Sequence, residues 1–400
     1  MTIAHEGPAP VERPKSTSSI LNDARFRGTV AQVVVVAVVA LVLGAMIWNA
    51  QENLSNQRIA SGFGFLDQTA GFSLNQTLIP YSESSSYGRA LLVAILNTLL
   101  VAVVGIVFAT ILGFLVGVGR LSKNWMVRKV CTVYVEVTRN LPLLFHILFW
   151  YLAVLAAMPA ARNSYSIFGE IFINNRGVYI PRIVFGEGSL VGFVALAIAV
   201  VGVIVLNRWA TARREKTGQQ FPVFWTSAAA LVGLPLIGFG LVGFPLTIEA
   251  PVLRGFNFVG GSRLLPEFAA LVVALSIYTG GFIAEIVRAG IKAVSYGQTE
   301  AAASLGLKPS LSTRLVVIPQ AMRVMIPPLT SQYLNLTKNS SLAAFIGYPE
   351  LVQVFAGTTL NQTGQAIEII AITMGCYLVI SLVTSLFMNW YNRRVALIER

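Results

Sequence analysis

Between residues 331 and 339 the chain reads SQYLNLTKN, and Ser331, Gln332, Asn335, Lys338 and Asn339 recur at three- and four-residue spacing. On a helix that spacing is one stripe. Amides and hydroxyls at these positions donate and accept hydrogen bonds, and the Lys338 ammonium can meet a carboxylate. This is chemistry of recognition rather than of bond breaking. Glu136 and Arg139 lie three apart, as do Glu285 and Arg288, so each pair can close on its own helix face; the Arg139 fork can instead be offered to a carboxylate. Covalent chemistry has little to work with. The two histidines, His5 and His146, and the two cysteines, Cys131 and Cys376, are too few and too scattered for a metal site, a disulfide framework or a nucleophile with its base. No catalytic residue, bound cofactor or metal is expected in this chain, and no G-x-x-x-x-G-K-S/T loop for a nucleotide occurs in it.

A second concentration of informative residues is EAAASLGLKPSLSTRLVVIP, residues 300–319. It is a polar and basic island in a chain that is 55% hydrophobic and 12% charged. Ser295 with Gln298 has capping-box spacing, which predicts a helix starting at Tyr296, and Gly306 is suited to end it in a left-handed conformation. Pro309 can open a second helical turn, and Pro319 is expected to stop the run before the chain enters the next apolar segment. Ala301, Ala302 and Ala303 offer a small face for close packing into another protein, the alternative being a solvated connector.

The elements that must carry these residues are membrane spans. A mean hydropathy of +0.71 is far above that of soluble domains, and runs of about twenty apolar residues match a hydrocarbon core of roughly 30 Å. Eight spans are expected, at 30–48, 91–118, 130–157, 190–207, 223–243, 265–287, 322–346 and 368–390. The first has no evident cleavage site after it and reads as a retained span. Charge then orients them. About 20 of the 29 Lys and Arg fall on one side of this arrangement. That side is expected to be cytoplasmic and to hold both termini and the island at 300–319, so the net charge of +12 sets topology rather than binding nucleic acid. Within the spans, the stripe from Ser331 to Asn339 is expected to face the protein interior, because lipid rejects it. Lys338 has two roles open to it, contact with a substrate carboxylate or snorkelling at the outer interface. Asn335 and Asn339 can likewise bond substrate or join helices. Pro327-Pro328 is expected to break or bend its span.

Glu300-Ala301-Ala302, then Gly306, then Val316-x-Ile318-Pro319 resembles the EAA signature of ABC importer permeases, with Val316 and Ile318 in place of the usual Ile and Leu. The flanks YVEVTRNLPLLFHILFWY (134–151), IYTGGFIAEIVRAGIKAVSYGQTEAA (277–302) and IPPLTSQYLNLTKNSSLAAFIGYPEL (326–351) resemble the polar amino acid branch, of the general L-amino acid and glutamate/glutamine/aspartate/asparagine types. The resemblance implies an all-α integral membrane protein with about eight transmembrane helices, in which a type I importer core is interrupted by additional spans. Its parts are a disordered leader at 1–29, an additional span at 30–48, core at 85–157, an insertion at 158–264 with two further spans, core at 265–392 containing a coupling loop at 291–320, and a tail at 393–400.

It also implies a division of labour. Glu300, Ala301, Ala302, Gly306 and Pro319 would form the segment that docks into a separate ATPase, with ATP and Mg on that partner. Ser331, Gln332, Asn335, Lys338, Asn339 and Arg139 become candidates for the substrate path. Partners would be a second permease chain, an ATP-binding subunit dimer, a periplasmic amino-acid-binding protein and the lipid of a bacterial inner membrane. The alternative is an ion-coupled secondary amino acid transporter, whose discontinuous helices also build polar midplane sites.

Overall fold

The computed structural model describes residues 24–56 and 62–395, which divide into two compact units meeting in sequence at Phe63. The first holds one helix, α1 (Ala24–Asn56), whose span from Phe26 to Met46 has no buried residue. This helix overruns both expected ends of the first span. Residues 1–23 of the expected leader and 396–400 of the expected tail lie outside the described residues.

The second unit carries the remaining spans. α2 (Tyr87–Gly119) starts where the Ser86 hydroxyl accepts the Arg89 N–H, and α3 (Trp125–Asn140) where the Asn124 carboxamide accepts the N–H groups of Met126 and Val127. The segment expected as one span at 130–157 is broken. Leu141 and Pro142 are extended, and the chain turns by 108° between α3 and the pair formed by α4 (Leu143–Leu148) and a π-helix at Phe149–Leu155. The cause is local: a residue before proline is disfavoured in the helical region, and Pro142 has no N–H to continue the ladder. After the insertion, α7 (Pro266–Lys292), α10 (Ile318–Asn339) and α12 (Ala366–Val395) complete the core.

α2 and α7 pack most closely. A Cβ on Gly113 would lie 2.5 Å from the Ile283 Cβ, and one on Gly117 2.7 Å from the Ala284 carbonyl oxygen, so only glycine permits this approach. Around the crossing, Ala109, Leu143, Ile147, Leu271, Leu275, Ile283, Val287, Met325 and Leu336 form one buried cluster. Phe65, Tyr87, Ala90, Leu351, Val354, Phe355 and Ile369 form a second, where the start of α2 meets the connection between α10 and α12.

The insertion is built differently. α5 (Ser189–Thr217) and α6 (Val223–Leu241) form a helical hairpin in which each has the other as its principal helical neighbour. Gly192 seats against Phe239 and Gly238 against Ala195. The loops flanking the hairpin fold into eight short strands: β1 (Tyr165–Ile167), β2 (Ile171–Asn174), β3 (Gly177–Ile180), β4 (Arg182–Phe185), β5 (Leu246–Glu249), β6 (Val252–Arg254), β7 (Asn257–Val259) and β8 (Ser262–Leu264). They pair antiparallel in the orders β1-β2-β3-β8, β4-β5 and β6-β7, and Tyr179, Phe172, Phe258 and Ala161 pack beneath them. The fold is therefore mostly helical, as expected, with a β module that the polar, glycine-rich loops did not announce.

Candidate functional site

The island between α7 and α10 folds as a helix, a bend and a helix. α8 (Tyr296–Ser304) ends in a Schellman arrangement in which the Leu307 N–H reaches the Ala302 carbonyl at 3.1 Å and the Gly306 N–H reaches that of Ala303 at 2.9 Å. Gly306 has φ +74, the left-handed conformation that its lack of a Cβ makes accessible. The capping box is not formed. Ser295 sits at the N-cap without a side-chain bond, and the Gln298 carboxamide accepts from Gln320 at 3.2 Å instead, tying α8 to the start of α10.

α9 (Pro309–Ser312) runs through a π-turn at Thr313–Val317 directly into α10, so Pro319 does not stop the run. The Ile318 N–H bonds back to Thr313, and this wider turn accommodates a proline that has no N–H of its own. Pro327 and Pro328 likewise lie inside an uninterrupted α10. The three alanines do not share a face. Ala302 is buried, whereas Ala301, Ala303 and Glu300 are exposed, as successive residues 100° apart on a helix require. Two large side chains also stand outward on this segment: Leu305 is 80% exposed and Tyr296 75% exposed.

The polar stripe of α10 is not buried within this chain. Ser331, Asn335 and Lys338 are exposed, Gln332 and Asn339 half-buried, and the buried face consists of Ala321, Met325, Ile326, Leu329, Leu336 and Thr337. The helix turns its apolar face to its own core, which leaves the stripe on the subunit's surface. Lys338 borders a cavity of about 450 Å³ with Ser341, Thr373, Tyr377 and Ser381, and no acidic side chain pairs with it among the described residues.

Arg139 does not pair with Glu136. Its guanidinium lies over the Phe282 ring, 5.3 Å from the centroid, while Glu136 approaches Arg120 at 3.9 Å. Arg120 also pairs with Glu285, and Glu285 with Arg288, so the end of α2 is tied to α7 by a three-membered charge cluster. His146 is buried against Tyr278, with ring centroids 5.7 Å apart, and has no carboxylate partner among the described residues.

One constellation escaped the sequence reading. Glu350 is fully buried in the connection between α10 and α12. Its carboxylate accepts the N–H groups of Val352 (2.9 Å) and Gln353 (2.8 Å) and the hydroxyl of Tyr377 (2.9 Å), whose ring lines the Lys338 cavity. Burial pushes its pKa up to about 7 against the pull of these donors. Beside it, the Asn97 amide donates to the Gln76 and Pro349 carbonyls, and Thr98 Oγ1 accepts the Leu351 N–H. The available signal was that Glu350 is the sole acidic residue between Glu300 and Glu368.

A broken third span, an exposed two-helix connection and a polar stripe on a subunit surface define a membrane-spanning transport component. Residues 105–397 match the family described as binding-protein-dependent transport system inner membrane component, and the chain belongs to that family. It is 53% identical over 385 residues to the general L-amino acid transport system permease protein AapQ of Rhizobium johnstonii, covering 96% of each chain. It is 52% identical to the putative amino-acid ABC transporter permease protein YhdX of Escherichia coli, covering 94% of this chain and 95% of that one. To the glutamate/glutamine/aspartate/asparagine transport system permease protein BztB of Rhodobacter capsulatus it is 41% identical, over 96% of this chain and 97% of that one.

Proposed function

We propose that this chain is the permease through which an ATP-driven importer passes polar L-amino acids delivered by a periplasmic binding protein, with a separate ATPase dimer bound at the connection between α7 and α10. The observation that carries the reading is that connection. Ala302 anchors α8 to its own subunit while Leu305 and Tyr296 stand out of it, the form of a segment that seats in a groove on another protein. Glu300 lies beside them on the exposed face, Gly306 sets the bend that follows α8, and Pro319 lies where the π-turn opens into α10. ATP and Mg belong to the partner; closure of its two subunits around nucleotide moves the docked segments, and α7 and α10 with them.

The stripe of Ser331, Gln332, Asn335, Lys338 and Asn339 supports pairing with a second permease chain. Exposed to lipid it would be costly, whereas between two subunits it lines a path. Lys338 then offers its ammonium to a substrate carboxylate, and Arg139, exposed on α3, is a second candidate cation. Both termini and α8 face the cytoplasm of a bacterial cell, in line with the distribution of basic residues. The substrate class rests on the relatives' names.

The test is purification of the tagged chain in mild detergent together with uptake in cells. A second permease and an ATPase should co-purify, and uptake should persist when the proton gradient is collapsed with ATP retained. Uptake that vanishes with the gradient overturns the reading.

A further inference from the structure

The hairpin of α5 and α6 is the part of the molecule that the transport reading leaves unused. Its apolar length is exposed around most of its circumference, with Leu190, Ile198, Val201, Val205, Val232 and Ile237 all at least half exposed. Its closed end differs sharply. Residues 207–223 read NRWATARREKTGQQFPV, with four basic residues, Arg208, Arg213, Arg214 and Lys216, against the single acid Glu215.

These cations are not spent on one another's counter-charges. Arg213 is taken up internally: its guanidinium lies 5.2 Å from the Trp209 ring centroid and donates to Gln219 Oε1 at 2.9 Å. Trp209 in turn meets Phe221 edge-on at 5.4 Å, which folds the connection back onto α5. Arg208, Arg214 and Lys216 have no ion pair or hydrogen-bonded acceptor for their side chains among the described residues. Arg214 borders a cavity of about 150 Å³ between the two helices, together with Asn207, Thr211 and Gln220. No side chain caps the first turn of α6 beside this cavity, so its N–H groups add to the positive field there. Trp225 and Phe224, each 73% exposed, stand on that same first turn, where aromatic rings mark the level of lipid headgroups.

We infer that the closed end of the α5–α6 hairpin is a binding site for an anionic phospholipid, with the headgroup phosphate at Arg214 and Gln220 and the acyl chains along the exposed apolar face. Charge complementarity selects the occupant. A zwitterionic lipid brings a cation of its own to a cluster already in excess of positive charge, whereas a phosphatidylglycerol-type headgroup brings a net negative charge. A hydrophobic helical hairpin with this polar end is a surface for a molecule that is itself apolar along its length and anionic at one end. Lipid anchored here would hold the hairpin, and through β4 and β5 the strands at its open end, against the bilayer.

The experiment uses the full chain with whatever partners co-purify, reconstituted in bilayers of equal phosphatidylglycerol and phosphatidylethanolamine, released, and analysed for retained lipid by native mass spectrometry. Wild type should retain phosphatidylglycerol in preference. Arg208→Gln, Arg214→Gln and Lys216→Gln together should lower that preference by about fivefold for each charge removed. Lys123→Gln, Arg128→Gln and Lys129→Gln, the same charge change around the start of α3, should leave it unaltered. Gln220→Leu keeps the charge and the topology signal but removes the amide donor from the cavity, and should lower the preference by about threefold. Equal loss in both triple variants would reduce the effect to general surface charge and overturn the inference, as would full retention with Gln220→Leu. Displacement of the lipid by millimolar inorganic phosphate would overturn it in favour of a free-anion site.

Discussion

Replacing Gly306 by asparagine, alanine or valine isolates the backbone geometry of the connection between α7 and α10. At φ +74 a residue with a Cβ is strained, yet a Cβ built there meets no atom within 4 Å, so a substitution acts through conformation and not through a clash. Placing an L-residue in this region costs roughly 1–2 kcal/mol, with asparagine at the bottom of the range and a β-branched residue at its top or above. If the ATPase docks only to the left-handed form, that cost reduces the competent population, and each 1.4 kcal/mol is a factor of ten in apparent affinity. The expected order is Asn within about twofold of wild type, Ala weaker by about fivefold, and Val weaker by at least about tenfold. The assay is titration of purified ATPase subunits onto the permease in nanodiscs, with insertion and pairing of the permease checked alongside. Valine binding as well as asparagine would refute the argument that the Schellman bend presents Leu305 and Tyr296 to the partner.

Lys338→Met removes a charge with little change in volume, and should weaken uptake of acidic amino acids more than that of neutral ones; equal loss points to snorkelling. Cysteines at positions 303 and 170, both exposed, report sidedness, and an impermeant reagent on intact cells should label only the second. Labelling at 303 reverses the topology. Glu350 gives a pH dependence whose sign follows from its raised pKa: the stabilisation is fully present below the unfolded value near 4.5 and is lost as pH rises through about 7. The loss is of order 3 kcal/mol. Thermal midpoints between pH 5 and 8 should therefore fall for wild type and stay flat for Glu350→Gln. The variant should also start about 1–2 kcal/mol lower at acid pH, because its amide sets a donor against a backbone N–H. Parallel slopes would exclude Glu350 as the titrating group.

The spans and the signature loop were legible in the sequence because a bilayer makes them local properties. Each crossing segment must satisfy its own backbone and be apolar for about twenty residues, and the expected segments fall on helix except where that at 130–157 breaks at Leu141 and Pro142. The bend at Gly306 and the helix from Tyr296 were legible for the same reason: they depend on the conformational freedom of residues near in sequence. What the tertiary structure decided is how these pieces face one another. The stripe from Ser331 to Asn339 was visible as a stripe, but whether it turned inward depended on which face of α10 found the apolar surfaces of α2 and α7. Glu136 had an arginine three residues away and took another from α2, since Arg139 was drawn over Phe282 on α7. Glu350 joins α12 through Tyr377 and packs beside Asn97 and Thr98 of α2, residues about 250 positions away, and no local pattern announces such a meeting. Amphipathic spacing fixes the faces a helix has. Only the packing of distant segments determines which face meets protein, which meets lipid, and which is left for a partner.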